Sequence, residues 1–296
     1  MANLGHSRGR WMNLDKPGGR VFFVSGGTAA YLGQGGSNAG AADTPEDPAT
    51  TIQGALDKTV AGRGDTVVIL PGSVTITAAL TMTKADVTLS GMGGSSPVKP
   101  SAILSSLAAS ADAINVSAAN VVIEDLHFPA STAATTSRID AGAAGLVVRN
   151  CTFNCGVNDL ETITIPAAGL HTQIEGNRFY VTANGPDAAV EVEAAAAHYV
   201  IIRGNEFNGM NATNQWDVGA VNSGVAHLSC LVTGNTNNFG PAIIFSAAAT
   251  GIISDNDMGY GTLGAMLDPG SCMCTRNWEA DAIDQKAREF PITAAS

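Results

Sequence analysis

Residues 200–207 read VIIRGNEF, and close variants of that octet return along the chain: IEDLHF at 123–128, VRNCTF at 148–153 and IEGNRF at 174–179. With the phenylalanines aligned, Phe128, Phe153, Phe179 and Phe207 share a frame that Asn237, Met258 and Glu279 continue as the pattern weakens. The intervals run from about 21 to 30 residues, the length in which one coil of a solenoid, three short strands and three turns, closes on itself. A coil of that size cannot bury its apolar face alone, so the coils must stack.

Inside each copy the period is two: Val121 and Ile123, Leu146 and Val148, Val200 and Ile202 alternate with polar residues, which marks strands rather than helices. Asp125, Asn150, Gly176, Gly204, Gly234 and Asp255 follow at the corner, residue types for which a left-handed backbone costs least. The next position holds Leu126 and Cys151, then Asn177, Asn205, Asn235, Asn256 and Asn277. Stacked at a strand spacing of about 4.8 Å, those five amides can hydrogen-bond up the solenoid as a ladder, and a ladder satisfies groups whose solitary burial would be costly. The position before the corner alternates Glu124, Arg149, Glu175, Arg203, so stacking sets opposite charges on adjacent rungs.

Composition agrees with a packed all-β chain. Of 296 residues 45% are hydrophobic and only 14% charged, too apolar for disorder. The net charge of −11 argues against nucleic acid or anionic lipid as a general partner. No stretch reaches the roughly 20 consecutive apolar residues of a membrane span. The opening MANLGHSRGRWMNLDKPGG lacks an apolar signal-peptide core, and five cysteines at no framework spacing fit reduced thiols, so no secretion signal is expected. The first segment is nonetheless basic, with Arg8, Arg10, Lys16 and Arg20 around Trp11, and it reads as an attachment arm.

Before the repeats, TPEDPATTIQGALDKTVAGRGDTVVILPG holds a helix expected over Thr51 to Val60, a strand over Thr66 to Leu70 and a turn at Pro71-Gly72. A helix there would cover the open end of the sheets. EADAIDQKAREF at 279–290 is helix-prone and is expected to cover the other end.

These features, the I-x-G-N-x-F coil signature and the TPEDPATTIQGALD…GDTVVILPG opening, resemble the pectate-lyase-like right-handed parallel β-helix family over roughly residues 43 to 279. The opening departs from the family pattern in carrying Ala49-Thr50 where an aromatic usually precedes TIQ. The resemblance implies a single-stranded right-handed parallel β-helix of 7–9 coils. Its parts would be an N-terminal arm over 1–42, a capping helix segment over 43–64, the solenoid over 65–279 and a C-terminal cap over 280–296. It also implies that any polysaccharide would lie on an exposed sheet face.

Chemistry on such a face requires two carboxylates flanking one bond. The candidates are Glu191 and Glu193, placed on one side of a strand by Val-Glu-Val-Glu, with Asp187 before them, Thr162 and Thr164 in the previous coil and residues 217–222 in the next. Asp255-Asn256-Asp257 and Arg63-Gly64-Asp65 read as turns, and Cys230, Cys272 and Cys274 as core residues. His127, His171, His198 and His227 do not align into a triad, and neither a metal nor a cofactor is expected. The expectation is therefore a structural protein of a phage-like virion, a head decoration or a tail spike or fibre component. It would be assembled in the host cytoplasm, join other virion proteins through its arm, touch host polysaccharide and form a homo-oligomer, a trimer by family resemblance. The alternative is a polysaccharide lyase or glycoside hydrolase.

Overall fold

The computed structural model describes residues 18–25, 37–95, 100–105, 107, 111–130, 136–156, 161–181, 186–193, 199–209, 216, 219–225, 229–239, 242–246, 248–261, 267–281 and 287–289. Their strands form three sheets. Sheet A holds, in spatial order, β1 (Val21–Val24), β2 (Thr66–Ile69), β5 (Thr88–Gly91), β8 (Val122–Glu124), β11 (Val147–Arg149), β14 (Gln173–Glu175), β17 (Ile201–Arg203), β20 (Cys230–Thr233), β23 (Gly251–Ser254) and β26 (Met273–Thr275). Sheet B holds β3 (Gly72–Ile76), β6 (Ser101–Ser105), β9 (His127–Phe128), β12 (Thr152–Cys155), β15 (Arg178–Val181), β18 (Glu206–Asn208), β21 (Thr236–Phe239), β24 (Asp257–Gly261), β27 (Trp278–Asp281) and β28 (Ala287–Glu289). Sheet C holds β4 (Leu80–Met82), β7 (Ile114–Val116), β10 (Ile139–Asp140), β13 (Glu161–Ile165), β16 (Ala188–Val192), β19 (Gly219–Ser223), β22 (Ile243–Phe245) and β25 (Leu267–Asp268).

From β2 to β25 the chain visits A, B and C in turn, and each strand pairs in parallel with the strand three elements on. That is a single-stranded parallel β-helix of eight complete coils, the first β2–β4 and the eighth β23–β25, within the range the repeats predict. Its right hand is that of parallel crossovers generally.

The aligned frame is the true register: Phe128, Phe153, Phe179, Phe207, Asn237, Met258 and Glu279 are successive partners. The four phenylalanines are buried and stack with centroids 4.7, 4.9 and 5.0 Å apart, and Trp216 closes the stack edge-on against Phe207. The corner residues Asp125, Asn150, Gly176, Gly204, Gly234, Asp255 and Arg276 all have φ between 51° and 63°. The asparagine ladder is continuous: Asn205 Oδ1 accepts from the backbone N–H and Nδ2 of Asn177, at 2.9 and 3.0 Å, and Asn205 Nδ2 donates to the Ile174 carbonyl at 2.8 Å. The same trio of bonds recurs at Asn235, Asn256 and Asn277. Arg149–Glu124 and Arg203–Glu175 pair across adjacent rungs at 2.7 and 2.9 Å, as the alternation predicts.

At the first end the capping helix α1 (Ile52–Leu56) is shorter than the expected Thr51 to Val60. Thr51 caps it, its side chain accepting from the Gly54 N–H, and Ile52, Ala55 and Leu56 turn into the core. It stops because Lys58 and Thr59 tighten into i→i−3 bonds, while the Val60 N–H goes to Asp65. The Lys84 ammonium then takes the carbonyls of Leu56, Asp57 and Thr59, the groups a helix end leaves open. Ala49, which departs from the family opening, is buried and bridges Val24 in β1.

Two boundaries differ from expectation. β1 lies inside the segment 1–42 assigned to the arm, yet it pairs residue by residue with β2 and buries Phe22 and Val24, so Val21–Val24 belongs to the solenoid. At the other end, 279–290 does not form the expected helix where it is described: β27 continues sheet B and β28 returns antiparallel to it, Trp278 opposite Glu289 and Ala280 opposite Ala287. An open row of backbone donors and acceptors templates another strand, and that outweighs a helix propensity worth only tenths of a kcal/mol per residue. Among the described residues no helix is long and apolar enough to cross a membrane.

Candidate functional site

Sheet C presents one continuous polar column. Asn115, Asp140, Thr164, Glu191 and Asn222 are in register on β7, β10, β13, β16 and β19, and their alternate neighbours Ile114, Ile139, Ile163, Val190 and Val221 fill the core. The expected Thr164 thus stands opposite Glu191, and Asn222 stands on the other side, donating from Nδ2 to Glu191 Oε2 at 2.6 Å. Thr162 does not join them, because its hydroxyl meets Cys155 Sγ at 3.0 Å in the interior. Asp187 is half-buried just ahead of β16, and Glu193 is exposed just past its end.

The structure adds a carboxyl that the motif reading missed. Glu161 opens β13 opposite Ala188, half-buried, with Oε2 enclosed and lacking a hydrogen-bond partner. Burial, then the negative fields of Glu191, Asp187, Glu193 and Asp112, push its pKa up to about 7. Burial also raises Glu191, against the opposing bond from Asn222, and raises Asp140, against a bond from Thr164. This face therefore sets a carboxyl pushed up to about 7 near two others, Glu191 and Asp140, whose charged forms the Asn222 and Thr164 bonds favour, a division of the kind that separates an acid from a base.

The same cluster sets a pH dependence. A carboxyl whose pKa rises from 4.5 to about 7 on folding binds its proton more tightly in the folded state, so its effect favours folding below about pH 4.5 and is lost as pH climbs through 7. Tm should fall between pH 5 and 8, and Glu161→Gln should flatten that fall, leaving the smaller same-direction contributions of Glu191 and Asp140. Melting followed by circular dichroism across that range reads it, and an unchanged slope in the variant would contradict the assignment.

The remaining candidates are structural or lie elsewhere. Asp255 sits at a corner and pairs with Arg276 at 2.8 Å, while Asn256 belongs to the ladder. Asp65 is buried and binds Arg63 through both oxygens, at 2.6 Å each, as well as the N–H groups of Arg20 and Val60. Burial would raise its pKa, but those partners hold it below the usual carboxylate value. His127 is buried in sheet B, where desolvation lowers its pKa, and His171 stacks on Tyr199 at 4.9 Å. All five cysteines are buried thiols. Of the arm residues, Arg20 is exposed beside β1; Arg8, Arg10, Trp11 and Lys16 lie outside the described residues, as do His198 and His227. Among the described residues no group of three or more His, Cys, Asp or Glu is placed to hold a metal ion.

The topology defines the class: the chain is a right-handed parallel β-helix with an acid-rich patch on one sheet. No family model and no curated protein sequence matches it. Among solved structures it is similar to ORF18 of Geobacillus virus E2, at 13% identity over 78% of this chain and 57% of that one, with a TM-score of 0.43. It is also similar to the pectin methylesterase from Aspergillus niger in deglycosylated form, at 13% identity over 95% and 92% with a TM-score of 0.46. A rhamnogalacturonan lyase follows at 11% identity over 87% and 66%, with a TM-score of 0.30. The chain spans little more than half the length of the viral protein.

Proposed function

We propose that this chain is a structural component of a phage-like virion, a rigid β-helix carried on the head or tail and attached through its N-terminal segment. The observation that carries the reading is the use of the repeated residues: phenylalanines, asparagines and paired charges all serve the stacking of one coil on the next, which makes a stiff rod. The basic segment ahead of Gly18 is then the attachment element. Removing residues 2–17 should leave Tm unchanged and remove the chain from purified particles, whereas removing 2–24 also strips β1 and should lower Tm. Incorporation of the 2–17 deletion at the wild-type level would sink the attachment role.

A second reading has its own support in the raised Glu161 beside Glu191, an acid–base pattern on an exposed sheet face. It makes the chain a polysaccharide lyase or glycoside hydrolase. Release of unsaturated or reducing ends from a polysaccharide panel, abolished by Glu161→Gln and by Glu191→Gln, would favour it; binding without cleavage would leave a glycan-contacting structural protein.

A further inference from the structure

The outer face of sheet A differs from that of sheet C in both charge and polarity. Val147, Gln173, Ile201, Leu231, Ile252 and Met273 follow one another in register on successive strands, all at least partly exposed, and only Gln173 is polar. Of the five large apolar side chains exposed among the described residues, Ile252 (40%) and Met273 (43%) lie in this column, Tyr199 (56%) lies at the turn that enters β17, and Trp278 lies just past the corner from β26. Exposed apolar side chains scattered singly need no explanation, but a file of them on one sheet face does.

Beside that file runs the column Glu124, Arg149, Glu175, Arg203, whose members neutralise one another rung by rung. In a chain of net charge −11 this face is therefore balanced, while sheet C gathers Asp140, Glu161, Asp187, Glu191 and Glu193. A basic partner would be drawn to sheet C. A balanced, partly apolar face suits a partner that carries the same negative charge and must be met where repulsion is least.

We propose that a second copy of this chain packs on the outer face of sheet A. Ten strands at about 4.8 Å spacing make the face about 43 Å long, and strands of three or four residues at about 3.3 Å each make it about 10–13 Å wide, which gives about 430–560 Å² per copy, the size of a weak, reversible interface. The inference is independent of the virion reading, since it concerns the purified chain.

Sedimentation of the full chain over a concentration series tests it. The wild type associates at micromolar concentration, and added salt tightens the association by screening the net charge while leaving apolar contacts intact. Ile252→Glu and Met273→Glu each weaken it about tenfold or more with unchanged circular dichroism and Tm, and Val60→Glu, an exposed apolar site by the capping helix, leaves it as in the wild type. Met273→Ser, a truncation that adds no charge, gives an intermediate loss and decides the matter if a glutamate variant misfolds. A wild type that stays monomeric in both salts, association indifferent to Ile252 and Met273, or equal loss from Val60→Glu overturns the proposal. So does a monomer whose sheet A variants lose a different protein instead.

Discussion

Asn205→Leu is expected to destabilise the protein by about 3–6 kcal/mol. The side chain is buried in the middle of the ladder, where it accepts from the N–H and the Nδ2 of Asn177 and donates to the Ile174 carbonyl. Leucine is close in volume, and Leu126 already fills the equivalent slot in an earlier coil, so the exchange removes hydrogen bonds more than packing. Because Asn205 Nδ2 also donates to Asn235 Oδ1, four polar groups then lose a partner in the interior, each at about 1–3 kcal/mol and less for Asn177 Nδ2 and Asn235 Oδ1, which keep a second one. Asn177→Leu begins the ladder and leaves only the Cys151 N–H and the Val148 carbonyl unmet, so its cost should be smaller, about 2–4 kcal/mol. Thermal and urea unfolding of the two variants checks both the size and the order. Equal and small losses would mean that the ladder adds little beyond the backbone sheets.

Much of this architecture is legible in the sequence because a solenoid writes its contacts as repeats. The Phe frame, the corner residues and the asparagine column each predict a register that the strand pairing reproduces. The elements misread are those without a neighbouring copy. VFFV at 21–24 has no repeat to announce it, and its partner β2 lies 45 residues on, with Arg20 N–H bound to Asp65 across the same gap. The C-terminal strand was hidden for the opposite reason, since its local preference is helical and only the open edge of β27 makes it a strand.

The acid-rich patch divides along the same line. Val-Glu-Val-Glu discloses Glu191 by its period, and counting back one coil finds Thr164. Glu161 escapes because the loops between sheets B and C vary in length, so the Phe frame does not fix the register of sheet C: β13 begins eight residues after Phe153, whereas β16 begins nine after Phe179. Its raised pKa rests on burial first and then on four carboxyls from two other stretches of chain, 187–193 and Asp112, and proximity of that kind exists only after coiling. The pairing of the outward charges was readable, but the balance it gives sheet A becomes apparent only against the acidity of sheet C.

Phe153→Ala is expected to cost about 3–5 kcal/mol, the range for removing a buried aromatic ring that its surroundings cannot close over. Closure is obstructed here because the sheet hydrogen bonds hold Phe128 and Phe179 one rung away on either side, at 4.7 and 4.9 Å from the Phe153 ring. The stacked geometry adds about 0.5–1.5 kcal/mol per ring pair beyond area burial. Phe128 has one stacked neighbour among the described residues, so Phe128→Ala should cost less; Phe153→Leu, which restores most of the volume without the ring, should fall between. The sequence itself ends the stack at Asn237, and there Trp216 turns its edge to Phe207, so an aromatic file ends where another ring covers its last face. Calorimetric or urea unfolding of the three variants ranks them. A Phe153→Ala loss no larger than that of Phe128→Ala would show that core volume, and not the continuity of the stack, sets the stability of these coils.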